Sequence, residues 1–178
     1  NKEQIGEYLG KNAEENKQTL FAYVRTFDFQ NISLLTALRM FLDTFRLPGE
    51  AQQIDRIMET FAQWAYEHTA EHDLLINPDV TYCLCFSIIM LNTDLHNPNM
   101  KPERRMQLKE FIKLNKSYGD MNQGRELTED LLVSVYKSIA SEQIFTSSAA
   151  TNDQLRNEQW VNVMRQTTIP EMQQFIAH

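Results

Sequence analysis

Disulfides, long apolar runs and surplus positive charge are all missing from this chain, and each absence removes a class of protein. Cys83 and Cys85 are the only cysteines in 178 residues. Two positions apart on one helix they point in different directions, which fits reduced core residues and a cytosolic compartment. The longest apolar run, 80–91, is far shorter than the ~20 residues a bilayer requires, and no signal peptide is visible. With 24 acids against 17 lysines and arginines the net charge is -7 and the pI about 5.1. That balance lacks the electrostatic footprint of a nucleic-acid binder. An anionic membrane or phosphate polymer has to be met by a local patch or by another domain. Strand alternation is also missing, and the five glycines and five prolines act as punctuation between helical patterns. The chain starts at Asn1 rather than Met, so it is expected to be a piece of a longer protein.

What is present is a core. A hydrophobic fraction of 42%, with ten Phe, six Tyr and two Trp, suffices for one domain of this length without staples. Ile5 to Leu9 reads as a short apolar turn closed by Gly10, and Leu20, Val24 and Phe27 recur on one helix face. Leu34, Leu35, Leu38, Phe41, Leu42 and Phe45 keep helical spacing for three turns, and the pattern restarts with Ile54, Ile57, Met58, Phe61 and Ala65. Pro78 and Asp79 read as a helix entrance, with Asp79 able to cap. From 80 to 91 nearly every residue is apolar, which predicts a helix covered on all sides, the central strut of an α-helical domain. Further on, Leu108, Phe111, Ile112 and Leu114 predict a short helix, and Thr128 caps another whose Leu131, Leu132, Val135 and Ile139 face inward. Residues 141–153 read as a Ser, Thr and Ala-rich linker. A helix at 155–165 with Trp160 and Val163, and a final turn opened by Pro170, complete the chain.

Two stretches between these helices hold the candidate chemistry. Pro48 and Gly49 stop one helix sharply and present Glu50 at the start of the next. On local pattern alone this is also an ordinary turn, with an acid favoured by the helix dipole. The strut empties into Asn92, Thr93, Asp94, Leu95, His96, Asn97 and Pro98, a run that reads either as capping chemistry or as a surface prepared for a partner. His68, Glu71 and His72 fit a short H-x-x-E-H zinc pattern, but no third ligand or substrate chamber accompanies them. Asp120, Asn122 and Gly124 fail as a calcium loop, because Arg125 and Leu131 occupy the places of the turn glycine and the bidentate acid. Neither a Ser or Cys triad nor a Gly-rich phosphate loop is found.

The stretch from Phe45 to Gln52 with Ile54, Asp55 and Arg56, and that from Phe86 to Pro98, resemble the two signatures of the Sec-seven domain. That domain is the catalytic module of guanine-nucleotide exchange factors for Arf-family small GTPases. The resemblance runs from Ile5 to about Phe145, and Arg156 to Trp160 is similar to the segment that follows the domain in large Golgi-type members. It implies an all-α right-handed stack, or superhelix, of about eight to ten helices with a hydrophobic groove. The exchange domain would occupy 1–145, with the family's first helices missing before Asn1, and 146–178 would hold a linker and C-terminal helices.

By the same resemblance Glu50 falls on the glutamic finger and Asn97 on the asparagine beside it. Asp79, Tyr82, Phe86, Ile89, Met90, Asn92, Asp94 and His96 fall on the groove that takes the GTPase switches. Brefeldin contacts fall on Phe86, Ser87, Asp94 and Met106, with Phe86 departing from the tyrosine of sensitive members. The implied activity is GDP release without covalent chemistry, so no cofactor, no metal and no small-molecule substrate is expected. The implied partner is an Arf-family GTPase, GDP-bound or nucleotide-free. Nucleic acid has no part in it, and membrane contact would come only through the parent protein or the GTPase, at Golgi or endosomal surfaces. A helical scaffold that binds the GTPase without releasing nucleotide is the alternative.

Overall fold

A computed structural model describes residues 1–146, and the expected helix at 155–165, the Pro170 turn and the stretch around Trp160 lie outside the described residues. Seven α-helices account for nearly all the regular structure among them: α1 (Lys2–Gly10), α2 (Glu14–Val24), α3 (Leu34–Asp43), α4 (Ala51–His68), α5 (Pro78–Leu95), α6 (Leu108–Asn115) and α7 (Glu129–Ser141). The architecture is an all-α helical stack. Two short 3-10 turns, Pro102–Arg104 and Gly119–Asn122, interrupt the connections.

Helix starts follow from side chains that satisfy otherwise orphaned amides. Ser33 accepts from Thr36 N, and Thr128 accepts from Leu131 N as expected. At α5 the capping residue is Asn77, whose Oδ1 accepts from Val80 N at 3.0 Å. Asp79, assigned that role from sequence, lies two residues too late and is exposed in the first turn. Pro78 fits there because the first helical residue needs no amide hydrogen. The stretch from Ile5 to Leu9, read as a short apolar turn, is part of a nine-residue helix, with Asn1 capping Glu3 N. Phe27 falls beyond the end of α2 and packs its ring on Tyr23 and Phe29 instead.

One aromatic layer joins α2, α3 and α4. Phe41 stacks on Phe61 with ring centroids 4.9 Å apart and meets Phe45 edge-on at 4.9 Å. Edge-on and offset pairs of this kind add to the stability that burial alone supplies. Helix α5 is the central strut. Each residue from Val80 through Ile89 is buried, with α3, α4, α6 and α7 packed around it. Cys83 and Cys85 are thiols buried in its middle, and burial pushes the Cys85 thiol well above its usual range.

The H-x-x-E-H stretch is spent on structure. Glu71 Oε2 accepts from Leu34 N at 2.8 Å, serving the start of α3. The Nδ1 atoms of His68 and His72 face the carbonyls of Trp64 and Thr69 at 2.8 and 3.0 Å. His68 also stacks on Trp64. Three side chains so engaged do not converge on one point, and the described residues contain no cluster suited to a metal ion.

Candidate functional site

The turn between α3 and α4 is gripped by the first helix. Arg46 N donates to Lys2 O at 3.0 Å, and Arg56 Nη1 donates to Gly10 O. Gly6 lies so close that an added Cβ would come within 1.7 Å of Arg46 O. Only a residue without a side chain permits that approach. A Cβ on Gly10 would likewise meet Gln53 Cβ at 2.7 Å and Pro48 Cγ at 3.2 Å. Buried Leu47 and Pro48 anchor the turn, after which Gly49 and Glu50 are exposed.

Glu50 is the N-cap residue of α4, in extended conformation at φ -93° and ψ 131°, yet its carboxylate caps no amide. Its carbonyl takes that part, accepting from Ile54 N at 3.0 Å. The side chain is met only loosely, by Gln53 Nε2 at 3.4 Å. No ion pair among the described residues involves it. A solvent-facing anion at the positive end of an 18-residue helix is electrostatically comfortable and chemically uncommitted.

Helices α4 and α5 form the most extensive pair. Tyr66 OH donates to Ile76 O, while Tyr82 OH donates to Asp55 Oδ1, so the two run antiparallel. An open cleft of about 390 Å³ lies beside the turn at Pro48 to Glu50, lined by Gln52, Asp55, Arg56 and Glu59. Its lining is polar. Partial burial first, and then the charges of Asp55 and Asp79, raise the Glu59 carboxyl above its usual range. A raised folded-state value means the fold favours the protonated form, so this group lowers stability as pH rises through its titration. Glu59→Gln is therefore expected to melt higher than the parent at pH 7, by an amount within about 0.5 kcal/mol for a solvent-screened carboxylate. The gap should close as pH falls through the carboxylate range, and thermal melts of both proteins across pH check it.

The second signature stretch behaves differently from an open surface. Tyr82, Phe86 and Ile89 are buried, with the Tyr82 and Phe86 ring centroids 5.3 Å apart, and Ser87 is buried beside them. Met90 is half-buried and Asp79 exposed. The polar residues Asn92, Thr93 and Asp94 remain helical, and polar side chains of this run hold neighbouring segments in place. Asn92 pairs with the backbone of Ile144, Asp94 Oδ2 accepts from Met106 N at 2.5 Å, and His96 Nε2 faces Ile139 O at 2.6 Å. Burial raises the Asp94 carboxyl, opposed by the Met106 amide and the Arg105 charge. Asn97 turns the chain: its Oδ1 accepts from Asn99 N at 2.9 Å, and Arg105 Nη2 donates to its carbonyl at 3.1 Å. Tethers to distant segments thus account for Asn92, Asp94 and His96, and turn chemistry for Asn97.

Sequence reading missed the cleft. Gln52, Asp55, Arg56 and Glu59 stand at i, i+3, i+4 and i+7, a polar stripe that the same helical spacing would have marked. It also missed Gly6 and Arg105, whose parts depend on contacts distant in sequence.

A model of the Sec7 domain matches residues 1–144. The chain is 44% identical over 143 residues to the ankyrin repeat, PH and SEC7 domain containing protein secG of Dictyostelium discoideum, covering 80% of this chain and 14% of that protein. It is 44% identical over 141 residues to the human Brefeldin A-inhibited guanine nucleotide-exchange protein 1, covering 79% of this chain and 7% of that protein. Against the ARF guanine-nucleotide exchange factor GNL2 of Arabidopsis thaliana it is 37% identical over 166 residues, 93% of this chain and 12% of that one. The chain therefore spans a small part of these relatives. Among solved structures, the Sec7p catalytic domain superposes with a TM-score of 0.71 at 38% identity, covering 81% of this chain and 72% of that one. A structure of ARF1-GDP bound to a Sec7 domain complexed with Brefeldin A gives 0.67 at 32% identity, covering 81% and 69%.

Proposed function

Because this chain belongs to the Sec7 domain family, we propose that it is the exchange domain of an Arf-family guanine-nucleotide exchange factor, with Glu50 as the finger that expels GDP. The observation that carries this reading is the placement of Glu50: exposed, at the start of α4, beyond the Pro48-Gly49 bend and in no ion pair among the described residues. The relatives that resemble this chain include proteins named as exchange factors, and one related domain has been captured with ARF1-GDP.

Charge supplies the mechanism. A GTPase holds GDP through magnesium and a phosphate cradle that includes a lysine. A carboxylate introduced into that cradle competes for the lysine and repels the β-phosphate, and at a few Å in a water-poor site such repulsion reaches several kcal/mol. No covalent bond changes. By linkage, a domain that stabilises the empty GTPase is itself displaced when nucleotide rebinds, so the ratio of GTP to GDP sets the direction. The buried Tyr82, Phe86 and Ile89 serve the docking face by fixing α5, while Met90, Asp79 and the α4 cleft residues offer surface. Vesicle transport at Golgi or endosomal membranes is the setting this activity would serve.

The test is release of fluorescent GDP from several Arf proteins in the presence of the domain. Acceleration supports the reading. Binding without acceleration would instead support the idle scaffold. Asn97 holds the loop after α5, and Asn97→Ala is expected to slow release roughly tenfold through lost positioning. A titration against Arf separates weaker docking from slower release.

A further inference from the structure

The segment 142–146 crosses between the two signature stretches, and its hydrogen bonds are unusually specific. Asn92 is buried at 2% exposure, and its amide is spent on a single residue. Nδ2 donates to Ile144 O at 2.8 Å while Oδ1 accepts from Ile144 N at 2.8 Å, imitating the paired bonds of a β-ladder. Two residues on, Thr146 O accepts from Leu47 N at 2.8 Å. That amide is the last backbone donor before Pro48, which has none. Upstream, Arg39 Nη2 donates to Glu142 O at 2.8 Å and to Ser138 O at 3.1 Å, fastening the exit from α7. The Ile144 side chain is buried, so the segment is seated as well as bonded.

We propose that 142–146 is a strap that positions the finger turn, with Asn92 as its anchor and Leu47 as the point where it takes hold. This rests on the exchange reading of Glu50. The turn is then held from two sides, by α1 through Arg46 N and by the strap through Leu47 N, and only Gly49 and Glu50 project beyond the grip. Losing the strap leaves the buried Leu47 amide unpaired. The turn then swings to reach water, and the carboxylate no longer meets the phosphate site in one geometry. Asn92 and the strap are positioning groups, since they act through Glu50.

Two substitutions release the strap from opposite ends. Asn92→Leu keeps the branched shape and removes both bonds, whereas Ile144→Asp expels the strap without altering α5. Hydrogen exchange at the Leu47 amide, measured on the whole chain alone, is expected to accelerate tenfold or more in each, with unchanged helical circular dichroism. With an Arf protein, maximal GDP release should fall about tenfold in each, and for Ile144→Asp, outside the groove residues, the half-saturating concentration should stay within about twofold, the signature of mispositioning rather than lost docking. In a Glu50→Gln background neither substitution should lower release further. A Leu47 amide that stays protected, a freed amide with undiminished release, or an added loss in the Glu50→Gln background would each overturn the proposal. If Asn92→Leu does not fold, Ile144→Asp decides. Should the parent chain release no GDP, the exchange reading fails, and the Leu47 amide still reports whether the strap exists.

Discussion

Replacing Glu50 with lysine is expected to leave the fold and the docking on Arf intact while cutting GDP release roughly a hundredfold or more, the scale on which removal of one preorganised electrostatic group acts. The side chain is exposed, caps no amide and among the described residues is hydrogen-bonded only to Gln53, so its replacement disturbs no core contact. The structural cost is confined to placing a cation at the positive end of α4, about 1 kcal/mol at most. At the phosphate site the sign of the interaction reverses, because an ammonium attracts the β-phosphate that a carboxylate repels. Glu50→Gln separates charge from shape. If the carboxylate acts by its charge, the glutamine variant loses most of the activity as well. The measurements are fluorescent GDP release and a binding titration against Arf-GDP with each variant. Release near the parent rate by Glu50→Lys would remove the finger mechanism.

Gly6→Ala is expected to be the most damaging single methyl in the described chain. The added Cβ would meet the Arg46 carbonyl oxygen at 1.7 Å, and the neighbouring Arg46 carbon at 2.9 Å, so no rotamer change relieves the clash. Helix α1 has to move away from the turn, taking with it the Lys2 O bond to Arg46 N. Overpacking against backbone costs about 3 kcal/mol, which corresponds to a fall in melting temperature of roughly 10 °C for a domain of this size. Ala at the adjacent exposed Glu7 should stay within about 0.5 kcal/mol and serves as the control. Thermal melts of the two variants check the contrast. Gly6→Ala melting like the parent would mean that α1 does not bear on the turn as closely as this geometry requires.

The helical class, the order of the helices and the position of Glu50 were legible in the sequence. The spacing of Leu34 through Phe45 and of Ile54 through Ala65 reports one buried face each, and a Pro-Gly pair is a local instruction to stop a helix. The all-round apolarity of 80–91 likewise reports a strut with neighbours on every side. The capping of α5 was misread by two residues, because Asn77 and Asp79 have similar capping ability and only the backbone extension at Asn77, φ -155°, chooses between them.

The use of the polar run after the strut was less legible. Asn92, Asp94 and His96 look alike from sequence, as groups able to cap, to bind or to do both. Their partners at Ile144, Met106 and Ile139 lie 52, 12 and 43 positions away, so no local pattern could name them. Gly6 was in the same position, an unremarked helical glycine until the Arg46 carbonyl is brought against it.

Local spacing and turn chemistry depend on neighbours along the chain, and these the amino-acid order determined unaided: the helices from α2 to α7, their buried faces, and a carboxylate set out past a proline-glycine bend. Which amide holds which carbonyl across the stack was decided only when the helices packed. A buried polar group must find a partner wherever folding happens to bring one, and that distance is not written in sequence spacing.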